Sequence, residues 1–145
     1  MSEVKSLHEI DFYAWAVEQA GLLRAGRLDE ADLANIAEEI ESMGKTEKRE
    51  LVSRLTVLLL HLLKRSQQPT LRGNSWRLSI ANARDEIQDL IADNPSLKAQ
   101  RDGVLATAYR YARRKAAVET DLAEECFPSA CPWTFETALN EGFWP

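Results

Sequence analysis

Cysteine and histidine are scarce in this chain, with two of each among 145 residues. The two cysteines, Cys126 and Cys131, lie close together in the segment CFPSAC, and neither histidine is near them in sequence. A structural zinc site uses four ligands, so the remaining two would have to be those distant histidines. We therefore expect reduced structural thiols, with a small disulfide loop as the alternative.

Long apolar runs are also missing. No run reaches the roughly 18 residues that a membrane span needs. The N-terminus, MSEVKSLHEIDFYAW, lacks the basic start and the small-residue cleavage site of a secretory signal. We find neither a strand pattern nor an internal repeat. The sequence therefore predicts a cytoplasmic protein without membrane contact, and its length fits one domain over residues 1–145.

Charge is distributed unevenly along the chain. Residues 1–50 contain 12 acidic and 6 basic side chains, residues 51–118 contain 5 and 12, and residues 119–145 contain 6 acidic side chains and no basic ones. Acidic helices that pack beside basic ones within the fold explain this pattern. A basic face that meets an anionic partner such as RNA is the alternative.

The stretch LVSRLTVLLLHLL, residues 51–63, is apolar on nearly every side of a helix. A helix with this pattern is buried, so we expect the helix over 46–66 to be central. Only one sector of its surface is polar, and that sector holds Arg54, His61 and Arg65.

Apolar spacing elsewhere predicts an all-α, single-domain bundle of five main helices and one short C-terminal helix. The main helices are expected at 11–25, at 33–43, at 46–66, from Ser75 to a break at Asn94, and at 95–118; the short one is expected at 134–140. Asp11, Ser75 and Thr134 are the predicted N-caps, Gly26 ends the first helix, and Gly44 ends or kinks the second. Pro69 marks a loop, and Arg84 is placed on the exposed side of its helix. Residues 1–10 are expected to be loosely ordered, and 126–145 to form an aromatic tail packed on the bundle.

The segments IAEEIESMG, LLLHLLK and FWP together resemble a bacterial family, the domain of unknown function numbered 29. The resemblance covers almost the whole chain. It implies a small, all-helical bacterial protein and supplies no activity, substrate or active site. One departure is Arg65, where the family often has a tryptophan, so we expect an aromatic contact to be missing there.

Arg54 and His61 lie two helical turns apart on nearly the same side of the central helix. This spacing is similar to the arginine-then-histidine motif of the HEPN superfamily, helical domains that include metal-independent ribonucleases. The resemblance implies that His61 takes part in proton transfer at the 2′-hydroxyl while Arg54 stabilises the phosphate, with Arg65 or Arg77 assisting. A core histidine bonded to neighbouring oxygens is the plainer interpretation.

Two further sites are open to hypothesis. Glu38, Glu39 or Glu41 together with His61 would give a metal-binding helical bundle, although the Glu-x-x-His element of di-iron bundles is absent. The run YRYARRK places Arg110, Arg113 and Arg114 beside two tyrosines, as a phosphate-contacting face would require.

These patterns favour a non-enzymatic protein-interaction module that binds an unknown partner or itself. Five amphipathic helices and a polarised charge map support it, and no strong catalytic spacing opposes it. The alternatives are the ribonuclease and the metal-binding bundle. We expect no cofactor and assign no metal ligands.

Overall fold

The computed structural model describes residues 5–68 and 73–145, which are mostly helical and contain no strand. The α-helices are α1 (Leu7–Ile10), α2 (Phe12–Arg24), α3 (Leu33–Gln67), α4 (Asn74–Asp93), α5 (Arg101–Thr120) and α6 (Phe135–Leu139). Two 3₁₀ helices cover Pro95–Gln100 and Glu124–Cys126. The predicted all-α class is therefore confirmed. Within the described ranges, no helix combines the length and the apolar character needed to cross a bilayer.

The chain divides between Lys45 and Thr46 into two compact units, and α3 begins in the first and ends in the second. The single domain expected over residues 1–145 stays a prediction.

The first unit is a helical hairpin in which side chains of α2 form hydrogen bonds with Asp32, the residue before α3. Asp11 caps α2, as predicted, because its carboxylate accepts a hydrogen bond from the Ala14 amide. Gly26 follows with a φ of +73°, a left-handed conformation that favours glycine and ends the helix. A polar contact then joins the two helices, since Trp15 Nε1 donates to the Asp32 carboxylate over 3.1 Å.

The helix end predicted at Gly44 is wrong. α3 runs without interruption through 35 residues, so the second and third predicted helices are one. The described part of the chain therefore has four long helices rather than five. A glycine inside a helix lowers stability by roughly 1 kcal/mol relative to alanine but keeps both backbone hydrogen-bonding groups. Apart from its own stretch of helix, no atom of the described residues lies within 4 Å of the place where a Gly44 side chain would begin, so close packing does not explain the glycine either.

The second unit has a hydrophobic core centred on the later part of α3. Leu55, Leu59 and Leu62 are fully buried, which confirms the central position predicted for this stretch. The main residues that α4 and α5 add to the core are Ile80, Ala83, Ile87, Val104, Ala108, Ala112 and Ala116. The alanines of α5 recur every four residues, which places them on one side of the helix and allows a neighbouring helix to approach closely.

Two predicted helix starts differ from the structure. Ser75 is not a cap, because α4 begins at Asn74 and Gly73 occupies the N-cap position without a side-chain hydrogen bond. Pro95 begins a 3₁₀ helix, and α5 starts only at Arg101. Pro69 of the predicted loop lies outside the described residues.

The aromatic tail contacts this core. Phe127 and Phe135 are buried, whereas Trp133, Phe143 and Trp144 are half-buried against the core residues. Thr134 caps α6 as predicted, since its hydroxyl accepts a hydrogen bond of 3.1 Å from the Thr137 amide. The tail is thus fixed both by burial and by a capped helix.

Candidate functional site

Arg54 is held by two carboxylates. Its Nη2 lies 2.9 Å from Glu50 Oε1, and its Nη1 lies 2.5 Å from Glu86 Oε2. The hydrogen bond to Glu50 and the charge of Glu86 raise the pKa of Arg54 above its ordinary value. The guanidinium is therefore already neutralised by groups of α3 and α4, which leaves it a weaker partner for a phosphate.

His61 has a different set of neighbours. Its Nδ1 lies 2.8 Å from the Val57 carbonyl, one turn earlier in α3. Its ring meets the indole of Trp76 edge-on, with 5.2 Å between centroids, and the Lys64 ammonium lies 4.5 Å from the same indole. The imidazole thus sits beside an aromatic ring rather than a carboxylate, and Arg54 is not among its described contacts.

The structure does not support the hypothesis of a metal site built from the glutamates at 38–41 and His61. It needed glutamates on one helix to face His61 on the next, but Glu38, Glu41 and His61 all belong to the single helix α3. Glu39 forms a contact of 2.8 Å with His8. Within residues 5–68 and 73–145, the side chains of His, Cys, Asp and Glu form no group of three that could hold a metal ion.

Arg84 was expected on a solvent-facing side, and this expectation is wrong. Its side chain is 1% exposed. Nε donates to the Ala138 carbonyl over 2.9 Å, and Nη2 donates to the Phe143 carbonyl over 2.7 Å. Burial lowers the pKa of Arg84, and the charge of Glu141 opposes that shift. The residue therefore ties α4 to the C-terminal tail.

Three guanidinium groups surround one indole in the second unit. Arg65, Arg77 and Arg84 lie 5.1, 5.3 and 5.1 Å from the centroid of the Trp144 ring. Two of the predicted binding residues, Arg65 and Arg77, are thus brought together, but they contact the protein's own tail. The aromatic contact expected to be missing at Arg65 is present in another form, because Arg65 itself lies over Trp144.

The basic residues of α5 separate into two groups. Arg110 and Arg113 line one cavity of about 450 Å³, whereas Arg114 is exposed and is not among the lining residues. Nε and Nη2 of Arg113 both donate to the Phe127 carbonyl over 3.2 Å, and Nη1 lies 3.6 Å from Glu124. Arg113 therefore positions the tail. Arg110 lines the cavity and forms no ion pair with a carboxylate of the described residues.

The two tyrosines of this run also differ. Tyr109 is buried and donates its hydroxyl proton to the Pro128 carbonyl, and burial raises its pKa to about 12. Tyr111 is exposed and lies under the Arg110 guanidinium, 5.2 Å from it. The predicted phosphate face with two stacking tyrosines is thus reduced to one exposed tyrosine with Arg110 and Arg114.

Exposed apolar side chains are concentrated in the first unit. Tyr13 is 79% exposed, Ile40 58% and Met43 64%. Others in the unit with at least 40% exposure are Leu7, Ile10, Phe12, Val17, Leu23, Leu28 and Leu33. Among the described residues of the unit, Trp15 and Gln19 are buried. Leu33, Ile40 and Met43, which lie on one side of the helix predicted at 33–43, are therefore largely solvent-facing.

Sequence reasoning missed Arg84, Trp76 and the carboxylates of Arg54. Arg84 could have been found, because it follows Ile80 by four residues and precedes Ile87 by three, which places it on the buried stripe of α4. The contact between Arg54 and Glu86 could not have been predicted, because the two residues are 32 positions apart in the chain.

The protein is thus all-helical in its described residues. It has a hydrogen bond between Trp15 and Asp32 in the first unit, and a buried Arg84 that contacts the aromatic tail in the second. Over residues 7–144 the sequence matches the family described as Domain of unknown function DUF29, and the chain belongs to that family. Comparisons with curated proteins and with solved structures found no match.

Proposed function

We propose that this protein is a non-enzymatic interaction module that binds a second copy of itself through the first unit. The observation that carries the proposal is the exposure of Ile40 and Met43, more than half of whose surface is accessible. Burial of such a side chain contributes roughly 1.5–3 kcal/mol. A hairpin with so few buried residues gains stability when another surface covers its apolar side.

The spacing of the exposed residues supports a helix as the partner. Leu33, Ile36, Ile40 and Met43 follow one another at intervals of three, four and three, the pattern of positions a and d in a coiled coil. Ala37 and Gly44, which each follow a d position, are small and allow a second helix to approach closely.

The charges around this stripe support a copy of the same chain. Glu38 and Glu41 fall at outer positions of the heptad, away from the seam. Glu39, which is nearer the seam, is paired with His8. Two identical stripes can therefore meet without bringing these acids face to face, and two hairpins joined in this way form a four-helix bundle with twofold symmetry.

The test is the mass of the protein in solution. We expect sedimentation to show a dimer of the 16.4 kDa chain as the protein concentration rises from about 1 to about 100 µM, because this range covers micromolar Kd values. Ile40→Glu places a charge in the seam and should give a monomer. Val118→Glu is the matched control, because Val118 is equally apolar and is 78% exposed in the second unit. A wild-type monomer throughout, or an Ile40→Glu dimer, would refute the proposal.

The ribonuclease hypothesis has less support. The Arg54 guanidinium that would stabilise a phosphate is paired with Glu50 and Glu86, and exchanging those carboxylates for a phosphate brings little gain. No observation favours the metal-binding bundle over either alternative.

A further inference from the structure

The cavity beside α5 has walls that the fold holds in place. Arg113 fixes the opposite segment through the Phe127 carbonyl, and Tyr109 fixes it again through the Pro128 carbonyl. Phe127 itself is 1% exposed and anchors the segment in the core. A cavity with fixed walls binds a ligand at a lower cost in conformational entropy than a flexible one.

The size and lining of this cavity suit a small organic molecule. Its volume of about 450 Å³ lies within the usual range for ligand pockets, roughly 300–1,000 Å³. Leu105, Ala106, Tyr109 and Trp133 supply apolar and aromatic walls. Ser129 and Cys131 add polar groups, and burial raises the pKa of the Cys131 thiol, which keeps it uncharged at neutral pH.

The charges of the lining favour an anionic group on that molecule. Glu124 lies 3.6 Å from Arg113 and offsets its charge. Arg110 contacts Tyr111, with its Nη2 3.5 Å from the hydroxyl, and forms no ion pair with a carboxylate of the described residues. Its guanidinium is therefore the cation available to a ligand, and planar guanidinium groups bind carboxylates through paired hydrogen bonds.

Two acidic residues limit the charge that the ligand can carry. Asp102 and Glu124 line the same cavity. They balance Arg110 and Arg113, so the charged groups of the lining sum to zero. A phosphate dianion therefore gains no more net attraction there than a carboxylate with a single charge, and it loses more hydration energy on leaving water. From these contacts we infer that the cavity binds a small carboxylate with an aromatic or apolar body, and that Arg110 is its anion-binding residue. This site is independent of the dimer proposed above.

The inference is tested with three probes that share a phenyl group. These are 3-phenylpropionate, the neutral 3-phenylpropanamide and 2-phenylethyl phosphate, each titrated into ¹⁵N-labelled protein. We expect saturable shifts of the Ala106, Tyr109 and Ala130 amides with 3-phenylpropionate at about 1 mM, an affinity appropriate for a ligand of this size. The amide should bind about tenfold more weakly, since it loses a charge-assisted hydrogen bond, and the phosphate should also bind more weakly.

Matched variants identify the residue responsible. Arg110→Gln should weaken 3-phenylpropionate about tenfold, whereas Arg114→Gln, which alters an exposed arginine of the same helix that does not line the cavity, should not. Ala106→Phe fills the cavity from an exposed position, so it should abolish binding without disturbing the core. An unchanged spectrum outside the cavity shows that each variant is folded. Equal affinity for the carboxylate and the amide, tighter binding of the phosphate, undiminished binding by Arg110→Gln or the absence of saturable shifts would overturn the inference.

Discussion

Nε of Arg84 donates a hydrogen bond of 2.9 Å to the carbonyl of Ala138, 54 residues later in the chain. A second donor of the same side chain reaches the Phe143 carbonyl. One buried guanidinium therefore satisfies two backbone acceptors of the C-terminal tail. An apolar side chain at this position has no N–H groups and cannot form these two hydrogen bonds.

We expect Arg84→Met to lower the free energy of unfolding by about 2–4 kcal/mol. Methionine fills similar space but leaves the Ala138 and Phe143 carbonyls without donors, and hydrogen bonds to charged groups contribute about 1.5–3 kcal/mol each. Urea denaturation measures the change. Arg114→Met, at an exposed position of α5, is the control and should change stability by less than about 0.5 kcal/mol. A loss below about 1 kcal/mol for Arg84→Met would show that the tail is held by packing alone.

The hairpin contact of the first unit should depend on pH. Hydrogen bonds from Asn35 and then from Trp15 lower the pKa of Asp32 below the ordinary value of 3.8. Because the pKa is lower in the folded state, the stabilisation is complete above 3.8 and is lost as the pH falls through the folded value. The indole Nε1 proton resonance of Trp15 should therefore shift in acid as its acceptor becomes protonated.

Asp32→Asn removes that carboxylate and should remove the acid-induced shift of the Trp15 indole proton. Asp29→Asn, in the exposed turn that precedes it, should leave the titration as in the wild type. The same acid titration in Asp32→Asn and in the wild type would mean that another group controls this contact.

We expect no metal-independent cleavage of RNA by the purified protein. The guanidinium of Arg54 is engaged by Glu50 and Glu86, and His61 contacts Val57 and Trp76. Incubation with mixed RNA in EDTA, beside a His61→Ala variant, measures this. Cleavage by the wild type that disappears in His61→Ala would establish the ribonuclease and refute our preference. Cleavage that survives in the variant would indicate a contaminating enzyme.

The sequence predicted the helical class, the buried leucines of α3 and the caps at Asp11 and Thr134, because each depends on spacing within a few residues. It did not predict that α3 continues through Gly44. Glycine both ends helices and occurs inside them, and the outcome depends on the neighbouring turns rather than on glycine itself. The position of Arg84 on a buried stripe was readable, but a charged residue is seldom buried without partners, and its partners lie 54 and 59 residues away.

The apolar stripe of residues 33–43 shows a second limit. A helix has the same apolar period whether it faces its own core or a partner. The spacing alone therefore does not distinguish the two, and in the structure Leu33, Ile40 and Met43 are exposed. The cavity beside α5 could not be predicted from the sequence either, because Arg110 and Trp133 line it from two different segments of the chain.

Self-association through the seam of Ile40 and Met43 is the central claim, and isotope-filtered NMR tests it most directly. A sample is prepared in which half of the chains carry ¹³C-labelled methyl groups and half are unlabelled. We predict intermolecular NOEs between the methyl groups of Ile40 and Met43 and protons of the unlabelled chains. In Ile40→Glu, the NOEs from the Met43 methyl group should disappear. A dimer of the expected mass that gives no intermolecular NOEs from the methyl groups of these two residues would contradict the claim.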